Sequence, residues 1–368
     1  MSVRLDGLVN QQSRLAAVLE RITNRDVPGI AVIQLTSGDI EHRESAGKAD
    51  LASGRRTSPA TAHLWFSMTK IVTATAVMQL AERGALKLDD PVDRLVEDFP
   101  RPRRGWPAVR VRHLLSHSSG LANPIPIRWV HPAGEQGSDP REFAKDLLRR
   151  HRRLRFPAGS KAVYSNLGYI ALGELIRTAS GQSYEDYVMS EILAPLSMNR
   201  TQFGYDALGT DVATGYQRRL HPMTPVLRLM LPKGIVGERQ GRFVAFNRFL
   251  VDGPAYGGLV GSAEDAARFM AVHLNHGEFA GGRLLSSASV RAMQKIQARG
   301  RKLEVGFGWF RRGRAKSRDK DHLEHLGGGG GFWSMMRIYP ERRVGVLAMG
   351  NATSYDHETV ARAALGST

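Results

Sequence analysis

Strand-forming segments stand at both ends of this chain, and residues 85–254 between them carry mainly helical patterns. Ile30 to Leu35 is a short apolar run rich in β-branched residues. The turn Thr36-Ser37-Gly38-Asp39 and a second strand-like segment follow, so this region reads as a hairpin. Val305 to Phe310, Phe332 to Tyr339 and Val344 to Met349 read as further strands, with a turn at Pro340-Glu341-Arg342-Arg343. Strands at both termini with helices between them imply one antiparallel sheet assembled from the two ends, an α+β arrangement. Helices are expected over Leu5 to Ile22, from about Ser67 to Glu82 where Gly84 stops it, over Leu167 to Thr178 and over His357 to Leu365. The expected organisation is a sheet domain from residues 1–84 and 255–368, a mostly helical domain from residues 85–254, and an active site in the cleft between them.

Length and composition allow this. A chain of 368 residues, 42% hydrophobic and 24% charged, can bury a sizeable core. The absence of cysteine excludes disulfides, thiolate metal sites and a cysteine nucleophile. No run of 18 apolar residues occurs, and the first residues lack a basic segment leading into an apolar one. The chain as given is therefore expected in the cytoplasm without stable membrane insertion, with export of a longer precursor left open. The formal charge of +17 comes mainly from arginine, concentrated in Arg101 to Arg104, Arg149 to Arg155 and Arg311 to Lys320. These runs are scattered and accompany no nucleic-acid-binding module, so they read as solvated surface and nucleic acid is not an expected partner.

Three Ser-x-x-Lys pairs occur, at Ser45/Lys48, Ser67/Lys70 and Ser317/Lys320. Only Ser67/Lys70 stands where a polar stretch gives way to an apolar helical run, Ile71 to Leu80. On a helix, positions i and i+3 share a face, so Lys70 is placed to take the proton Ser67 must lose as a nucleophile. Unpaired N–H groups at a helix start also favour oxyanion character in acyl transfer.

Two further motifs supply partners. Tyr164-Ser165-Asn166 is the only Tyr-x-Asn in the chain and lies just ahead of a helix. A phenol held near an ammonium loses its proton more readily, and the pair can shuttle a proton between serine and leaving group. Alternation about Ser165 points Tyr164 and Asn166 the same way, with Asn166 expected to bind the acyl carbonyl and help orient Lys70. His325-Leu326-Gly327, the only His-x-Gly, opens a run of five glycines. A substrate can approach such a strand edge closely, and the N–H near Gly328 is a candidate second oxyanion donor beside that of Ser67. The pair His113/His117 has i, i+4 spacing but lacks the glutamate of a zinc protease, and reads as structural.

In order and separation, Ser67-x-x-Lys70, Tyr164-x-Asn166 and His325-x-Gly327 resemble the three motifs of the serine β-lactamase and penicillin-binding-protein superfamily. The likeness is to its tyrosine-containing branch of class C β-lactamases, D-alanyl-D-alanine carboxypeptidases and related esterases. Gly84 to Val92, His113 to Leu121, Tyr164 to Gly181, Gly257 to Ser262 and Gly306 to Trp309 look like stretches usual in that branch. The resemblance implies acyl-enzyme chemistry without metal or other cofactor. Ser67 would be the nucleophile, Lys70 and Tyr164 the coupled base and acid, and the N–H groups of Ser67 and Gly328 the oxyanion hole. Asn166, His325, Leu326 and Gly327 would bind substrate.

One departure from the family bears on the substrate. Class C β-lactamases usually carry Lys-Thr-Gly as the third motif, where cation and hydroxyl engage a carboxylate; here the hydroxyl is replaced by Leu326. This favours a carboxylesterase or amidase on small, less polar esters. The alternatives are a D-alanyl-D-alanine carboxypeptidase, D-amino-acid peptidase or weak β-lactamase using the same site, and a non-catalytic binding protein using its basic surface. Between Leu220 and Asp252, part of the apolar set Leu227, Leu229, Met230, Leu231, Ile235, Phe243, Phe246 and Phe249 is expected to wall the cleft. Nothing in the sequence selects an oligomeric state.

Overall fold

A computed structural model of the chain describes residues 2–311 and 322–366, so Ser317/Lys320 lies outside the described residues. The sheet runs in the order Ala298–Arg299, Glu304–Val305, Phe310–Arg311, Leu323–Gly329, Phe332–Tyr339, Val344–Gly350, Gly29–Thr36, Asp39–Gly47. All neighbours are antiparallel. The two ends of the chain pair one strand in from the Asp39–Gly47 edge, where Ile30 lies opposite Gly350 and Thr36 opposite Val344.

Both faces of the sheet are covered, which explains why Ile30 to Leu35 reads as a continuous apolar run rather than an alternating one. Ile30 and Val32 face an outer core with Leu15 and Leu19 of the Ser2–Thr23 helix and Val360 of the His357–Ala364 helix. Ala31, Ile33 and Leu35 face the larger core, against the Ala263–Leu274 helix. The Thr69–Glu82 helix runs through that larger core and is buried on every side from Thr69 to Leu80, as expected for a helix apolar all round. Among the described residues, no helix is long and apolar enough to cross a membrane.

Two regions differ from expectation. Val305 to Phe310 is a tight hairpin rather than one strand, because Gly308 adopts φ +79° and Gly306 N–H donates to the Trp309 carbonyl. A side chain at Gly308 would also strike Ile71 and Ala74 of the central helix. Residues 85–254 are less helical than their patterns indicate. Past Thr201 they hold short strands, including a three-stranded sheet of Gly215–Arg218, Val236–Gln240 and Phe243–Phe246. Gly241 at φ +61° turns the chain between the last two, and the aromatic and β-branched residues of Phe243–Phe246 suit a strand.

A buried ion pair clamps the sheet to its terminal helix. Arg337, 2% exposed, donates to Glu324 at 2.7 Å and to Glu358 of the His357–Ala364 helix at 2.7 Å. Arg337→Ala leaves Glu324 buried without its cation and is expected to cost about 3–5 kcal/mol. Urea unfolding checks this; an unchanged midpoint would show that the clamp contributes nothing.

Candidate active site

The serine does not sit inside the helix. Phe66–Met68 forms a 3-10 turn leading directly into the Thr69–Glu82 helix, and Phe66 is held at φ +46°. A bulky residue with positive φ is strained, so the surroundings must enforce it. Phe66 packs against Phe249 and Phe332, while Gly329 and Gly257 leave room for its ring and backbone. Half-buried Ser67 is thereby fixed at the mouth of a cavity with Lys70 one turn further on.

The three groups expected to act together do meet. Ser67 Oγ lies 2.7 Å from the Tyr164 hydroxyl and 2.9 Å from Lys70 Nζ. Lys70 Nζ also donates to the Tyr256 carbonyl at 2.6 Å. It lies 5.1, 5.7 and 5.2 Å from the ring centres of Tyr164, Tyr169 and Tyr256. Lys70 is fully buried, and that desolvation holds its pKa well below the ordinary lysine value. The neutral amine, able to accept a proton, is thus more accessible than in a solvated lysine. Ser45, by contrast, lies on the Asp39–Gly47 strand rather than at a helix start.

Asn166 begins the Asn166–Ser180 helix, where Ser165 is the N-cap and accepts from Gly168 N–H. The Asn166 side chain lines the cavity, but its Oδ1 has no hydrogen-bond partner and does not orient Lys70. The Tyr256 carbonyl does that instead, a role invisible in sequence because it is a backbone atom. His117 was also missed, read only as half of a structural pair. Its ring packs at a tilt against Tyr164 with centres 4.6 Å apart and its Nδ1 accepts from Ser165 N–H, fixing the first two residues of the Tyr-x-Asn motif. Burial above all, with smaller contributions from neighbouring Lys70 and His325, depresses its pKa well below the ordinary histidine value. His113 Nδ1 accepts from Arg110 N–H, so the two rings serve local structure. Among the described residues, no group of three or more His, Asp or Glu is placed to hold a metal ion.

The third motif supports the site from behind more than it contacts substrate. His325 is buried, its Nδ1 hydrogen-bonded to the Gly308 carbonyl at 2.6 Å. Leu326, expected at the substrate, points to the opposite face of the strand and packs on the outer core. A side chain at Gly327 would come within 1.9 Å of the Trp65 carbonyl, so this glycine admits the turn carrying Ser67 rather than a ligand. Gly328, Gly329 and Gly330 do border the cavity, which Ser67 also lines.

The cavity holds about 310 Å³. Its walls are largely apolar: Ile127 and Val130 from one side, Leu227 and Leu231 from the end of the Met223–Met230 helix, and Phe249. Of the apolar set expected here, Ile235, Phe243 and Phe246 are instead buried in the core and Leu229 is exposed. Among the described residues, no Lys, Arg, Asp or Glu lines the cavity.

Residues 13–366 match the Beta-lactamase family. The chain is 32% identical over 325 residues to Esterase EstB of Burkholderia gladioli, covering 81% of this chain and 79% of that protein. It is 26% identical over 356 residues to Penicillin-binding protein 4* of Bacillus subtilis (strain 168), covering 93% of this chain and 72% of that one. The solved structure of the octameric penicillin-binding protein homologue from Pyrococcus abyssi superposes with a TM-score of 0.78 at 27% identity, covering 96% of this chain and 76% of that one.

Proposed function

This chain belongs to the beta-lactamase family of serine hydrolases, and within it we propose a carboxylesterase acting on small uncharged esters through an acyl-enzyme. The observation that carries the proposal is the Ser67, Lys70 and Tyr164 contact at the mouth of an apolar cavity without charged walls among the described residues. Ser67 Oγ attacks the ester carbonyl while its proton passes to the Lys70–Tyr164 pair. The Ser67 and Gly328 N–H groups hold the oxyanion, and Asn166 holds the acyl carbonyl before attack. The same pair returns the proton to the departing alcohol. Water, activated in the same way, then releases the acid and restores Ser67.

A cavity of about 310 Å³ is at the small end for ligand sites and suits a short acyl or aryl group. A D-alanyl-D-alanine carboxypeptidase or β-lactamase must accommodate a substrate carboxylate. Burying one unpaired against Ile127, Leu227 and Phe249 costs several kcal/mol. The test compares kcat/KM for p-nitrophenyl butyrate, the matched p-nitrophenyl succinate half-ester, a cephalosporin and a D-Ala-D-Ala peptide. The neutral ester is expected to lead the half-ester by about 100-fold or more, a gap of about 3 kcal/mol. Equal rates, or faster turnover of the peptide, would overturn the esterase reading.

Leu227 provides a second check on the wall. Leu227→Ala removes about 1.5 kcal/mol of apolar contact, so kcat/KM for a hexanoyl ester is expected to fall about tenfold relative to acetyl. An unchanged chain-length preference would place the acyl group elsewhere.

A further inference from the structure

We propose that the cavity contains a polar subsite built on Gln217, which takes an uncharged hydroxyl or amide carried by the substrate away from the scissile bond. The inference rests on the acyl-enzyme reading and names the substrate class more closely. Gln217 lies on the Gly215–Arg218 strand, opposite Val244, and lines the cavity. It is only 3% exposed, and its Oε1 has no hydrogen-bond partner. A buried amide oxygen left unpaired lowers stability, and a native structure retains one where a partner arrives from outside the chain. The catalytic steps have no use for it.

Its neighbours make this part of the cavity polar. Tyr216 N–H donates to the Gly331 carbonyl and Thr353 N–H to the Tyr216 carbonyl, which brings Gln217 and Thr353 to the glycine end of the Leu323–Gly329 strand. Thr353 Oγ accepts from Gly331 N–H, and both Thr353 and His221 border the cavity beside Gln217. None of the three is a carboxylate or a permanent cation, so the subsite matches a neutral group. The strand ends at Gly329 and turns at Gly330, two residues beyond Gly328, so a substrate reaching from the attacked carbonyl to this end of the cavity spans up to roughly 7 Å, the rise of two extended residues. A hydroxyl both donates and accepts, and so suits either orientation of the Gln217 amide.

The test uses p-nitrophenyl 3-(4-hydroxyphenyl)propanoate and its 4-methylphenyl counterpart, which differ by hydroxyl for methyl at that reach. Wild type is expected to favour the hydroxyl ester at least tenfold in kcat/KM, and Gln217→Met to lower that ratio at least tenfold. Gln217→Leu provides a second variant should Gln217→Met fail to fold. A wild-type ratio at or below one overturns the proposal without any variant, and so does a ratio that either substitution leaves unchanged. Labelling of Ser67 by a fluorophosphonate is read in parallel. Labelling with an unchanged ratio refutes the subsite alone, whereas loss of labelling refutes the acyl-enzyme reading on which it rests.

Discussion

Replacing Ser67 by alanine is expected to lower kcat/KM for p-nitrophenyl butyrate by about 10³-fold or more, because no acyl-enzyme can form. The Ser67 hydroxyl is the group that touches both Lys70 Nζ and the Tyr164 hydroxyl, so its loss removes the nucleophile and severs the contact between base and substrate. Groups acting as one unit lose their effect together. The Ser67→Ala/Lys70→Ala pair is therefore expected to be little worse than either single change, far from the product of the two. Steady-state kinetics on purified variants, with circular dichroism to verify folding, checks this. Turnover retained within tenfold of wild type would remove Ser67 from the mechanism.

Lys70→Ala is expected to lower kcat/KM by a comparable factor, and wild-type activity should carry the signature of this lysine in its pH dependence. Burial holds the Lys70 pKa well below its ordinary value, and only the neutral amine accepts the serine proton. Activity therefore rises with pH through that depressed pKa and levels off before the range where a solvated lysine titrates. Lys70→Arg remains protonated throughout and is not expected to restore the rising limb. The same shift bears on stability with a definite sign. Between the depressed folded pKa and the unfolded value of 10.5, the unfolded chain holds a proton that the folded one lacks. Lowering the pH across that window therefore favours unfolding through this group, and below the folded pKa the effect is constant. An activity profile that begins to rise only near pH 10 would show that Lys70 is not desolvated as its burial requires.

The architecture was legible where hydrophobic period and turn chemistry agree. Ile30 to Leu35 and Val344 to Met349 are apolar on both faces because helices cover both sides of the sheet they form. Residues 201–251 were less legible. Their apolar positions are spaced irregularly, and the three-stranded sheet there is specified by local features such as the Gly241 turn and Phe243–Phe246. Within the site, the side-chain motifs located Ser67, Lys70 and Tyr164, which the fold does bring together. What escaped notice depends on backbone atoms and three-dimensional packing: the Tyr256 carbonyl that holds Lys70, the His117 ring beneath Tyr164, and the Phe66 conformation ahead of the nucleophile. Leu326 illustrates the opposite error. It belongs to a motif near the substrate, yet strand alternation sends its side chain to the outer core.

Gly327 and Gly329 show how much of the glycine run serves packing. Added side chains would strike the Trp65 carbonyl and the Phe66 ring, the two residues that precede Ser67. The run thus lets the strand lie against the nucleophile turn, and the oxyanion role proposed for Gly328 depends on that close approach.

The central claim is that substrate becomes covalently attached to Ser67. Acid quenching during turnover of p-nitrophenyl butyrate, followed by peptide mass spectrometry, tests it most directly. A butyryl group on the peptide containing Ser67, absent from Ser67→Ala, is the predicted result. Attachment at another residue, or continued hydrolysis by Ser67→Ala at the wild-type rate, would contradict it.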